Sequence, residues 1–149
     1  MKIVSACLVG FNCRYDGENK LNKNLLKLFK EGKLIPVCPE QLGGLTTPRD
    51  RARITGGDGK DVIEGRAKVM TSTKNNVTQQ YIRGSKESLK IAKVLEIKEA
   101  ILKSDSPSCG CGTILSEDFS EKRQGDGVTT ALFKKNGIEV HTEENFESE

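Results

Sequence analysis

"EAILKSDSPSCGCG", residues 99–112, decides how this chain is read. A short apolar run is cut off at Lys103 and a Ser-Pro turn, and Cys109 and Cys111 follow the turn. An apolar run of this length bounded by turn residues predicts a buried strand. The same pattern recurs upstream. "KIVSACLVG" (2–10) ends at Gly10 and carries Cys7, and "LIPVCPE" (34–40) is stopped by Pro39 directly after Cys38. "IEVHT" (138–142) supplies a fourth strand.

Helical spacing fills the intervals. "LNKNLLKLFKEGK" (21–33) repeats Leu21, Leu25, Leu28 and Phe29 on one face and closes at Gly32. "TQQYIRGSKESLKIAKVLEI" (78–97), opened by Asn76 or Thr78, carries Tyr81, Ile82, Leu89, Ala92 and Val94 at roughly the helical period. "GVTTALFKKNG" (127–137) is the last helix. Residues 42–76 are rich in Gly, Thr and charge and read as a long loop insertion, in which "VIEGRAKVMTST" (62–73) adds a hairpin or an edge strand. The expected fold is therefore α/β: a single Rossmann-like domain over 1–142, a mainly parallel sheet flanked by helices, and an acidic, frayed tail over 143–149.

Composition narrows the function. A chain of 149 residues, 35% hydrophobic and 30% charged, fits one globular domain with a real core. Twenty-four basic against 21 acidic residues, a net charge of +3, leave little electrostatic footprint for RNA or a membrane surface. No run approaches the ~20 apolar residues of a membrane span, and the N-terminus lacks a signal-peptide pattern. These features predict a cytoplasmic protein, monomeric or homodimeric. In a reducing compartment, five cysteines point to metal or catalytic use more than to disulfides.

Parallel sheets bind ligands beyond the carboxyl ends of their strands. Cys7, Cys38 and Cys109 follow three such ends, so the topology brings them to one edge. Their spacing is a poor match to zinc or ferredoxin patterns. Three thiolates on a cubane cluster would leave one iron open as a Lewis acid, whereas four would close it; small buried hydrophobes are the plain alternative. Cys13, after a flexible "GFN" turn, and Cys111, between glycines, read as bystanders, with a fourth-ligand or resolving role open to either. Glu40 is a candidate general acid or base, or a surface charge. Ser106 and Ser108 either hold substrate or simply form the turn that ends the strand. Lys103, Arg14 and Arg49 would neutralise an anion or stand solvated. The lone His141 falls away from this edge. "GDG" before the last helix reads as a tight turn rather than an anion site.

"SACLVGFNCRYDG" (5–17), "PVCPEQLGGLTTPR" (36–49), "SPSCGCG" (106–112) and "GDGVTTALFKKNGI" (125–138) together resemble the DUF523 family, associated with thiouracil desulfidases. The resemblance spans about residues 3–140. It implies a [4Fe-4S] cluster bound by three cysteines, mapping to Cys7, Cys38 and Cys109, with Glu40 and Ser106 as acid/base groups. It further implies non-redox desulfuration of a thiolated pyrimidine, thiouracil or 4-thio-UMP, to uracil or UMP plus sulfide. Ser108, Lys103 and Arg49 would then bind substrate. Asp50 and Arg51 stand where the family usually has apolar residues or proline, and Asn76 where it often has Asp. A tRNA substrate is not expected without an extra domain. A different class stays open beside the enzyme: an iron–sulfur or sulfur carrier that hydrolyses nothing.

Overall fold

The computed structural model describes residues 1–146; the tail residues 147–149, expected to be frayed, lie outside the described residues. Strand β1 (Lys2–Ser5) buries Ile3 and Val4 completely. The apolar run predicted as one strand breaks at Ser5, because the chain leaves the sheet there and curls into a 3-10 turn, Ala6–Val9. Helix α1 (Lys23–Lys30) is opened by Asn22, whose side chain accepts from the backbone N–H groups of Asn24 and Leu25, and it buries Leu25 and Leu28. Leu21 precedes the helix and is 47% exposed, so it is not part of the predicted apolar face.

Strand β2 (Leu34–Val37) runs directly into helix α2 (Pro39–Leu42), with Cys38 at the N-cap and Pro39 in the first turn, where its missing N–H costs nothing. The segment predicted as a long loop is largely ordered structure. Strand β3 (Ala52–Thr55), helix α3 (Gly59–Ile63) and strand β4 (Lys68–Thr71) occupy it, and β3 pairs antiparallel with β4. Asp58 and Asp61 form a reciprocal capping box that starts α3 amid the glycines. The expected hairpin therefore exists, with its first strand ten residues earlier than "VIEGRAKVMTST" suggests.

Helix α4 (Thr78–Val94) leads to β5 (Glu99–Leu102). A second small hairpin, β6 (Thr113–Leu115) with β7 (Lys122–Gln124), follows the cysteine loop. Helix α5 (Val128–Lys135) and strand β8 (Glu139–Thr142) complete the domain. The central sheet has the order β2-β1-β5-β8 and is parallel throughout, with Ser5 opposite Val37 and Leu102 opposite Thr142. The chain passes from β1 to one side for β2 and to the other for β5, which makes the β1/β5 boundary the switch point where such sheets bind ligands.

Two close approaches hold this edge together. A Cβ on Gly84 of α4 would overlap the carbonyl oxygen of Pro39, so only glycine lets α2 lie directly against α4. Gly127, at the start of α5, presses on the backbone between Ser108 and Cys109. The first turn of α5 spends its free N–H groups there: Val128 donates to Pro107 O at 2.9 Å and Thr129 to Ser108 O at 2.8 Å. Thr130 Oγ1 adds a bond to Cys109 O at 2.8 Å. The "GDG" turn is thus a clamp on the cysteine loop. No helix among the described residues is long and apolar enough to cross a membrane.

Candidate active site

Beyond the carboxyl ends of β1, β2 and β5 lies a cavity of about 220 Å³. Cys7, Cys38 and Cys109 all line it, as their strand-end positions predict, and so does Cys13. Cys7 sits in the 3-10 turn, Cys38 caps α2, and Cys109 rides on the loop clamped by α5. Cys13 arrives because the chain doubles back: its N–H donates to Phe11 O at 2.9 Å, and Arg49 Nη2 donates to its carbonyl at 2.8 Å. Cys111 points elsewhere, with its thiol 3.6 Å from Val140 O.

Burial pushes the Cys109 thiol up to about 11, with the Glu40 carboxylate and Cys38 adding to it against hydrogen bonds from Ser5 and Ser108. Cys13 feels a hydrogen bond with Cys38 that favours its thiolate, but Cys7 and burial outweigh it and raise the group to about 12. Cys38 is raised further, by its bond to Cys13 and by burial. These thiols are held neutral by one another and by their low-dielectric surroundings. A bound metal centre reverses that preference, because it takes up the thiolate form.

Among the described residues, no three His, Cys, Asp or Glu side chains are arranged to hold a single metal ion. The donor set itself is all sulfur, which suits thiophilic metals and iron–sulfur clusters. A cluster bonds each thiolate to a different iron, so it accepts thiols set around a cavity rather than crowded on one point.

Two carboxylates line the cavity; Asp105 is engaged by Thr113 Oγ1 at 2.6 Å and by Lys122 Nζ at 2.9 Å, which leaves Glu40. Its Oε1 accepts from Arg49 Nε at 3.1 Å and from the Tyr81 hydroxyl at 2.8 Å, while Oε2 has no protein partner among the described residues. Tyr81 is 2% exposed, and burial together with the neighbouring carboxylate lifts its phenol well above the ordinary tyrosine range, so it stays a donor. Arg49 spends its remaining donors on Thr46 O and Thr47 Oγ1. Burial works against its charge, but the carboxylate of Glu40 keeps it raised.

The other predicted residues divide. Ser106 lines the cavity, and its Oγ accepts from Cys109 N–H at 2.6 Å, which leaves its hydroxyl proton free to donate. Lys103 also lines it, yet its ammonium bonds Ser104 Oγ at 3.0 Å and Glu143 at 3.2 Å. Ser108 is 1% exposed, is absent from the cavity wall and shares a 3.0 Å bond with Thr129 Oγ1. Arg14 lines the cavity with its guanidinium over the Tyr15 ring. His141 pairs with Glu139 away from it.

Residues that sequence reasoning passed over matter as much. Tyr81 was legible only as part of an apolar helix face, although a buried tyrosine usually needs a hydrogen-bond partner. Glu143 belongs to the segment expected to fray, but its carboxylate accepts from Ser104 N and Ser104 Oγ at 2.8 Å each, and Phe146 packs on the β1 side of the core. Arg51 lines the cavity between the rings of Tyr15 and Phe119, with no carboxylate partner among the described residues.

Fold and cavity together define a class: a Rossmann-like α/β domain with a thiol-lined pocket, a half-buried carboxylate and a serine at the switch point of its sheet. The family model described as 2-thiouracil desulfurase matches residues 3–145, and the chain belongs to that family. It is 44% identical over 144 residues to the uncharacterized protein YbbK of Bacillus subtilis (strain 168), covering 96% of this chain and 95% of that one. It is also similar to the solved structure of the [4Fe-4S]-dependent thiouracil desulfidase TudS, a DUF523 protein. That match has a TM-score of 0.85 at 38% identity and covers 96% of this chain and 90% of the other.

Proposed function

We propose that this protein is a cytoplasmic [4Fe-4S]-dependent desulfidase that converts a thiolated pyrimidine, thiouracil or 4-thio-UMP, to uracil or UMP and sulfide without net redox change. The observation that carries the reading is the pairing, in one cavity, of four thiols with a carboxylate that keeps one oxygen without a protein partner among the described residues. Membership of the 2-thiouracil desulfurase family and the likeness to TudS support it.

Cys7, Cys38 and Cys109 would hold the cluster. When bound, such a cluster supplies a thiophilic iron that takes the substrate sulfur and makes the adjoining carbon electrophilic. Glu40 Oε2 faces the attacking water and accepts its proton, while Tyr81 and Arg49 fix the carboxylate through Oε1. Ser106 donates its hydroxyl proton toward the reacting centre and holds the Cys109 loop through its oxygen. Arg49 serves the reaction through Glu40 rather than by grasping substrate, and Lys103 through the loop it ties to Glu143. The partly apolar lining of the cavity strengthens each of these interactions. Near-balanced charge favours a free base or nucleotide over tRNA.

Replacing Glu40 by Gln separates this enzyme from a cluster or sulfur carrier. The expected result is full iron content with sulfide release from 4-thiouracil slowed by about 10²–10⁴. Unchanged sulfide release by Glu40→Gln would remove the acid/base role, and cluster-loaded wild type that releases no sulfide would leave the carrier.

A further inference from the structure

Cys13 is a thiol without an assignment in the three-cysteine scheme, yet it stands in the same cavity. It is 5% exposed, and its carbonyl is anchored by the buried Arg49 at 2.8 Å and lies 3.7 Å from the Cys38 sulfur. Its side chain belongs to the same packed cluster as Cys7, with Cys38 against that cluster, and all three residues line one cavity. A cysteine used as a small hydrophobe packs among apolar side chains. Cys13 does pack in one cluster with Val4, Leu8 and Leu25, but it also lines the cavity, beside two thiols already proposed as ligands. Its backbone is held by the same arginine that orients Glu40, so its position is tied to the catalytic carboxylate.

Resting on the cluster reading above, we propose that Cys13 is a fourth, exchangeable thiolate ligand that covers the open iron in the resting protein and yields it to the incoming substrate sulfur. On binding, Cys13 releases its thiol proton to solvent and its sulfur forms one bond to iron. On substrate arrival that bond breaks, the substrate sulfur takes the position, and the thiolate regains a proton. No electrons move in either direction. The consequence for a resting protein is protection, since an iron with three inorganic and no protein ligands is the one a cluster loses first.

The test uses the full chain, reconstituted without oxygen, as wild type, Cys13→Ala and Cys13→Val, the last close to cysteine in volume. Ferricyanide removes one electron per cluster and one ferrous ion leaves, giving a three-iron form that EPR counts. Both variants are expected to lose that iron about tenfold faster than wild type, the scale set by changes around a metal site. Equal rates in wild type and either folded variant would overturn the proposal while leaving the desulfidase reading standing. Wild-type protein that never takes up four irons would instead remove the cluster reading, and the proposal with it.

Discussion

Glu40 holds its two carboxylate oxygens in different surroundings, one bonded by Tyr81 and Arg49, the other without a protein partner among the described residues. In the proposed reaction that asymmetry lets one oxygen be held while the other takes a proton. Tyr81→Phe removes one of two bonds that aim the carboxylate and leaves the ring in place. We expect a stability loss of about 1 kcal/mol and a fall in kcat of roughly tenfold with KM little changed, read from steady-state kinetics on cluster-loaded protein. Glu143 offers a second residue-scale test. Burial works to raise its carboxyl, but Ser104 and Lys103 hold it below the ordinary glutamate value. Its ionised form therefore stabilises the fold above the unfolded-state value of about 4.3, and that contribution disappears as pH falls through the lower folded-state value. Glu143→Gln should lower stability by roughly 1–2 kcal/mol near neutral pH and lose less than wild type on acidification to about pH 3, as measured by urea unfolding. An acid response identical to wild type would show that the carboxylate carries no charge-dependent stability.

At the scale of elements, the site depends on two helices meeting without side chains between them. Gly84 faces the Pro39 carbonyl, and the same α2–α4 crossing brings Tyr81 to Glu40. Alanine at position 84 gains helix propensity worth up to about 1 kcal/mol, yet overlap with backbone costs about 1–3 kcal/mol. Gly84→Ala is therefore expected to lower both Tm and turnover; a higher Tm with full activity would show that the helices separate freely. The central strands were legible because each is a short apolar run ended by Pro, Gly or a charged residue. The hairpins were not. β7 is Lys122–Gln124, three polar residues that carry no periodic signal and pair only because β6 lies opposite. β3 and β4 are held by register and by the Asp58 capping box, inside a stretch whose glycines read as loop.

For the molecule as a whole, three apolar clusters of side chains pack around the sheet and its helices, a core much larger than that of a small metal-dependent domain. Protein stripped of iron should keep its far-UV circular dichroism and a cooperative melt, unlike small domains that unfold when their metal is removed. Collapse on stripping would make the cavity a product of the cluster. The convergence of Cys7, Cys38 and Cys109 was readable from topology, since all three follow parallel strands. The arrival of Cys13 and Glu143 was not, because each is delivered by a chain reversal whose partners, Arg49 and Ser104, are distant in sequence. The account as a whole stands on hydrolysis at a carbon–sulfur bond. Its most direct test is turnover of 4-thio-UMP by anaerobically reconstituted protein in water labelled with heavy oxygen, with mass spectrometry of the pyrimidine and assay of sulfide. The account predicts labelled UMP and sulfide in equal amounts with no added reductant. Four-iron protein that leaves the thione intact, or gives unlabelled product, would contradict it.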